Sequence, residues 1–153
     1  MSFSLDTSSL IWAWRFAYPR ANFPTLWQRF EALICDGQMR ASSMVLVELE
    51  RIEDELLEWA QAQEALFVEL DRPQQESVRA VVAEFPRLVP ADEDRINADP
   101  FVIALAMRDG STVISEERMS GNPATPKIPN ACAAHGVECM NFVQFIGRQG
   151  WVF

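Results

Sequence analysis

Two carboxylates stand where strands should end. Phe3 and Leu5 alternate with serines as a short strand does, and Asp6 follows at once. Much later, STVIS (residues 111–115) has the β-branched core of another strand, and Glu116 and Glu117 come next. In open α/β sheets, ligands bind beyond the carboxyl ends of the strands, so acids at two such ends point to one site. Other chemistries have little to build on. His135 is the only histidine, and Cys35, Cys132 and Cys139 form no C-x-x-C pair. A zinc centre, or a Ser-His-Asp or Cys-His enzyme, would depend on that one imidazole. His135 reads as an ordinary residue ending the AACAAH segment. The cysteines read as small buried residues or free thiols of a reducing cytoplasm.

The chain carries 22 acidic residues, so each candidate must be weighed against an ordinary role. Asp6 could cap the helix that follows, in competition with Thr7, Ser8 and Ser9. Asp99 precedes Pro100 at the start of PFVIALAM, the usual place for an N-cap with proline at N1; capping and metal ligation are compatible there. Glu48 lies in ELERIEDELLE, where most acids face water and pair at i, i+4. It sits about 70° from the centre of the apolar stripe Val45, Leu49, Ile52 and Leu56, whereas Glu50 sits about 130° away. Glu48 therefore borders the core and Glu50 does not. For Glu116 and Glu117 the spacing leaves open which one points inward.

The elements around these acids follow from periodicity and punctuation. Ser8 or Ser9 is expected to cap a helix running to about Tyr18, stopped by Pro19. Pro24 opens a second helix with Leu26, Trp27, Phe30, Leu33 and Ile34 on one face, and Asp36-Gly37 ends it. An extended piece at Met39–Ala41 leads to Ser42-Ser43, a further N-cap signal. MVLVELERIEDELLEWAQAQ, residues 44–63, reads as one helix, with further helices at 73–85 and 100–108. The last of these is apolar nearly all round, which predicts burial, and Gly110 closes it. RMSGNPATPKIPN, residues 118–130, has three prolines and a glycine and reads as loop. Cys132–His135 forms a helical turn, VECMN a last strand and FVQFIG a terminal helix. Alternation of this kind predicts a three-layer α/β/α sandwich around a central, mainly parallel sheet.

Bulk properties set the frame. At 153 residues, 49% hydrophobic and 23% charged, the chain reads as a single domain, 1–153, with a substantial core. No apolar run approaches the roughly 18 residues of a membrane span, and MSFSLD has neither the basic nor the apolar region of a signal peptide. A cytoplasmic protein is expected. The net charge of −9 argues against coating nucleic acid through a broad basic face, but not against a nuclease whose cations act locally.

Taken in order, LDTSSLI, SSMVLVELER, NADPFVIALAM and TVISEE resemble the acidic signature of PIN-domain ribonucleases. In that superfamily an Asp follows the first strand, a Glu lies in a V-x-x-E-L helix, an Asp opens an A-D-x-x-I-A-x-A helix, and a last acid follows a T-x-D turn. The resemblance is closer to small stand-alone bacterial PIN-like proteins of the VapC toxin type. These share D-T-S-x-L-I-x-A-W-R (Asp6–Arg15), K-I-P-x-x-C (Lys127–Cys132) and G-V-x-C-x-N (Gly136–Asn141). Two departures stand out: Ser8 replaces the Asn of many relatives, and the last acid is Glu rather than Asp.

Carried over residue by residue, the resemblance implies that Asp6, Glu48, Asp99 and Glu117 are catalytic metal ligands, with Glu116 the alternative to Glu117. Mg²⁺ or Mn²⁺ is the implied cofactor, since hard cations prefer carboxylate and water oxygens. Asp6 and Asp99 would hold the principal ion, and Glu48 and Glu117 would orient waters or a second one. Arg15, Arg118 and Lys127 are candidates for phosphate contacts, and the 118–130 loop for a lid or a partner surface. The implied activity is endonucleolytic hydrolysis of RNA by the toxin of a toxin–antitoxin pair, a homodimer blocked by an antitoxin encoded alongside. Two rivals belong to other classes: a catalytically inactive PIN-like module for protein or RNA interaction, and a metal-dependent DNA nuclease. The latter lacks any helix-hairpin-helix-like stretch.

Overall fold

β1 (Phe3–Leu5) is buried along its whole length and pairs on both sides, with β2 (Met39–Ser42) and β4 (Thr112–Ile114). β3 (Phe67–Val68) extends the sheet beyond β2, and β5 (Cys139–Met140) extends it beyond β4. The order is β3-β2-β1-β4-β5 and every pairing is parallel, as short apolar strands joined by helical crossovers require. The computed structural model describes residues 1–52, 54–89 and 97–153. Asp92, Glu93 and Asp94, expected as a solvated loop, lie outside the described residues.

Helices cover both faces. Phe3 meets Phe145 edge-on at 5.0 Å between ring centroids, and Phe145 in turn meets Phe30 at 6.2 Å. These rings pack α2 (Pro24–Cys35) and α8 (Phe142–Gln149) on one face. Ser4, one residue along β1, points to the other face, where its Oγ donates to the carbonyl of Val102 at 2.8 Å. The small side chain lets α6 (Asp99–Asp109) lie close against the sheet, and α5 (Arg72–Glu84) packs outside it. Six residues of α6 are buried, as its all-round apolar sequence predicts. Gly110 ends it at φ 66°, a left-handed conformation that favours glycine.

Several boundaries depart from expectation. α1 (Thr7–Trp12) begins before Ser8 and Ser9, with Asp6 at its N-cap position, and a π-helical turn at Ala13–Ala17 takes over before Tyr18. The widened turn, closed by Tyr18 N–H to Ala13 C=O at 2.7 Å, accommodates Trp14 against Trp27 and Trp59, at 5.1 and 5.4 Å. α7 (Ile128–Ala134) starts inside the expected loop, because Pro129 falls in its first turn, where a missing N–H costs nothing. The expected helix 44–63 is two helices, α3 (Ser43–Glu50) and α4 (Glu55–Ala62). Asp54 begins the second: its Oδ1 accepts from the amides of Leu56 and Leu57 at 3.1 and 3.3 Å. Asp54→Ala should therefore cost about 1 kcal/mol, a fall of a few °C in melting temperature. The Arg15–Asp54 ion pair lost with it is about one-third exposed on both sides and should add little.

Candidate active site

The chain winds from β1 through β2 to β3, then returns to lay β4 on the other side of β1. The switch point of the sheet thus lies between β1 and β4, where ligands of such folds bind. Asp6 is the residue after β1, and Ser115, Glu116 and Glu117 follow β4. The two segments are joined directly: Asp6 N–H donates to Ile114 C=O at 2.9 Å. Glu48 comes from α3, which leaves the far end of β2, and Asp99 is the first residue of α6, which lies across β1, β2 and β4.

Asp6 is 2% exposed, and although it holds the N-cap position of α1 its carboxylate does not cap the helix. Among the described residues, no α1 amide donates to its side chain. Instead its Oδ2 accepts from the hydroxyls of Ser8, at 2.5 Å, and Ser115, at 2.8 Å. Burial pushes its carboxyl up to about 6; the two serine hydrogen bonds oppose this, and Glu117 and Glu48 add to it. Asp99 is pushed further, to about 8, by burial first and then by Asp6, Glu117 and Glu48, against a hydrogen bond from Asn97. The four acids named from the sequence therefore share one electrostatic neighbourhood.

The cap expected of Asp99 is supplied by others. The N-cap position of α6 belongs to Ala98. Asn97 Oδ1 accepts from Asp99 N–H at 3.0 Å, while Glu48 Oε1 accepts from Ala98 N–H at 2.5 Å. Periodicity did not reveal Asn97, since either Asn97 or Asp99 could head this helix. Glu48 is half-buried and Glu50 exposed, as the stripe angle predicts. The adjacent glutamates turn to different helices. Glu117 Oε2 accepts from Ile128 N–H of α7, and Glu116 Oε1 from Phe142 N–H of α8, both at 2.8 Å. Of the two, it is Glu117 that raises Asp6 and Asp99.

The cations are distributed differently. Arg15 pairs with Asp54 and lines an open pocket of about 940 Å³ with Trp14, Arg20 and Trp59, which none of the four acids lines. The structure thus does not bring it to the acids. Arg118 and Lys127 are exposed at the two ends of the loop beside Glu117. That loop is held in place: Asn130 Oδ1 accepts from the amides of Ser120 and Lys127, each at 2.9 Å, and its Nδ2 donates to Ser120 C=O at 3.0 Å. His135 lies elsewhere, its Nε2 3.1 Å from Glu84 Oε2, in a pocket with Gly110 and Thr112 at the opposite end of β4. The three cysteines are free.

As a donor set, four carboxylates suit Mg²⁺ or Mn²⁺ and not a soft metal. Two of them, the buried Asp6 and the half-buried Asp99, repel each other and would be relieved by a cation. In position the fit is partial: among the described residues, no three acidic, histidine or cysteine side chains stand close enough to share an ion as placed. One oxygen each of Asp6, Glu48 and Glu117 is already taken by a protein donor. Coordination by three of the acids would require a side chain to turn.

The fold has known counterparts. The crystal structure of VapBC2 from Rickettsia felis bound to a DNA fragment from their promoter superposes with a TM-score of 0.56, at 13% identity, over 93% of this chain and 99% of that one. The structure of DNA-bound VapBC from Salmonella typhimurium gives a TM-score of 0.54, at 17% identity, over 92% and 98%. At such identities the likeness is one of fold, and it agrees with a three-layer PIN-like architecture around the parallel sheet. No curated protein matches the sequence. A family model described as "Domain of unknown function (DUF4411)" matches residues 3–153, nearly the whole chain, and the protein belongs to that family.

Proposed function

We propose that the protein is a metal-dependent endoribonuclease that hydrolyses RNA phosphodiester bonds with Mg²⁺ or Mn²⁺. The observation that carries this reading is that Asp6, Glu48, Asp99 and Glu117, from four separate segments, influence one another electrostatically beside the switch point of the sheet. Asp6 and Asp99 would hold the principal ion; Glu48 and Glu117 would orient waters or a second one. When bound, such an ion activates water for in-line attack and stabilises the leaving oxygen. Arg118 and Lys127, exposed beside Glu117, would contact phosphates of the RNA. Arg15, which lines a pocket that none of the four acids lines, is not assigned this role.

The same reading makes the protein the toxin of a toxin–antitoxin pair, a cytoplasmic homodimer inhibited by an antitoxin encoded alongside. The sequence resemblance to VapC-type proteins supports it, as does the likeness of fold to two structures of VapBC bound to DNA. No helix among the described residues is long and apolar enough to cross a membrane. Cleavage of single-stranded or structured RNA should require Mg²⁺ or Mn²⁺ and stop on chelation. Cleavage that persists in excess chelator, and is lost only with His135→Ala, would sink the reading.

One observation favours the rival. Glu48 and Glu117 each hold a backbone amide, and no three acids are placed to grip an ion. That is also how a catalytically inactive PIN-like module would use them. RNA that is bound but left intact with both metals would select that alternative.

A further inference from the structure

Ser8 stands where many PIN relatives carry Asn, and the structure gives its hydroxyl a definite task. Both Ser8 and Ser115 donate to the same atom, Oδ2 of Asp6, at 2.5 and 2.8 Å. Each hydroxyl also receives a backbone amide: Glu116 N–H reaches Ser8 Oγ at 3.3 Å, and Glu117 N–H reaches Ser115 Oγ at 3.1 Å. A hydroxyl has one proton to give. With its oxygen accepting from an amide, that proton turns toward the carboxylate, so the direction of both hydrogen bonds is fixed. Asp6 is thereby tied, through two serines, to the backbone of both glutamates after β4. Ser9, the next residue, behaves otherwise: it is within hydrogen-bond range of two backbone carbonyls, those of Asp6 at 2.9 Å and Ile114 at 3.0 Å. It staples the chain and leaves the carboxylate alone.

We infer that Ser8 and Ser115 are positioning residues that together occupy Oδ2 of Asp6 and leave Oδ1 as the atom presented to a divalent cation. The inference rests on the metal-dependent reading above and deepens it. Two donors on one oxygen stop the carboxylate from rotating about its last bond, and they oppose chelation through both oxygens. The serine at position 8 is then a working alternative to Asn, since its short hydroxyl reaches both Asp6 and the Glu116 amide. Partners of this kind, one step removed from the ion, commonly change metal affinity by 10- to 100-fold when removed.

The test is Mn²⁺ binding, followed by calorimetry well below the melting temperature, on the wild type, Ser8→Ala, Ser115→Ala, Ser8→Thr and Ser9→Ala. Ser8→Ala and Ser115→Ala should each weaken Mn²⁺ binding by about tenfold or more. Ser8→Thr keeps the hydroxyl and should stay within about threefold of the wild type. Ser9→Ala should lower the melting temperature with affinity unchanged within about twofold, because it removes a staple of the same turn without touching the carboxylate. Should Ser115→Ala fail to fold, Ser8, which is only half-buried, decides the matter alone. Wild-type affinity in the alanine variants, with only their melting temperatures lowered, would overturn the inference and leave the nuclease reading intact. A wild type that neither binds Mn²⁺ nor cleaves RNA would overturn both.

Discussion

Asp6→Asn should raise the melting temperature of the metal-free protein at neutral pH while abolishing RNA cleavage. The asparagine keeps an oxygen to accept from Ser8 and Ser115, so the hydrogen bonds survive and only the charge goes. That charge opposes folding: burial, helped by Glu117 and Glu48, lifts the Asp6 carboxyl from its ordinary 3.8 to about 6. A carboxyl raised on folding stabilises the folded state below its unfolded pKa and loses that contribution as pH rises through the folded value. For Asp6 the loss runs from about pH 4 to pH 6, and for Asp99 it continues to about pH 8. Above that window the ionised Asp6 costs on the order of 3 kcal/mol, which for a chain of this size is several °C. The metal-free wild type should therefore melt progressively lower between pH 4 and pH 8. Asp6→Asn should show a shallower decline, and the two should converge near pH 4. Mg²⁺ or Mn²⁺ should raise the wild-type melting temperature by mass action and leave the variant nearly unmoved. Asp6→Ala is a poorer probe, because it strands two hydroxyl donors, one of them on the buried Ser115. Identical melts of wild type and Asp6→Asn in chelator at neutral pH, with no response of either to Mn²⁺, would remove Asp6 from any metal site.

What the sequence disclosed about this site depended on how each residue announces itself. Asp6 and Glu117 stand at strand ends, a place that period-two alternation and β-branched residues mark openly. Glu48 and Glu50 are two residues apart, yet 3.6 residues per turn put them at different distances from the apolar stripe. The break at Asp54 was hidden because Ile52 and Leu56 keep the stripe in phase across it, and no glycine or proline interrupts it. Two-residue β3 is too short for any alternation to show. Asn97 and Asp99 flank one helix start, and only the fold shows that it is Asn97 whose side chain accepts an amide there. The fate of Arg15 was equally out of reach, since its partner Asp54 is 39 residues away. The two serines on Asp6 oxygen Oδ2 form the extreme case. One is local at i+2, but the other comes from 109 residues away, and no spacing rule connects them.

Glu48 and Glu50 offer the sharpest test of the site, because two identical substitutions two residues apart should have opposite consequences. Glu48 is half-buried, and its Oε1 accepts from Ala98 N–H at 2.5 Å, where α6 begins. Glutamine keeps an oxygen for that amide, so Glu48→Gln should leave the start of α6, and Asp99 within it, in place. Stability should hold or rise slightly, because the charge removed is one that raises both Asp6 and Asp99. Cleavage should nevertheless fall by at least about a hundredfold, the usual scale for losing one group that acts on the reacting water. Glu50 is exposed on the same helix. Its substitution by glutamine removes a solvated charge and should leave activity within about twofold and stability within about 0.5 kcal/mol. Initial cleavage rates at saturating Mn²⁺, with thermal melts of the same preparations, compare the two directly. A large loss in Glu48→Gln with an unchanged melting temperature can come only from the chemistry of the site, since neither fold nor cap has moved. Equal activity of the two variants would show that α3 contributes no ligand and that the acids at the switch point work without it, or do not work at all.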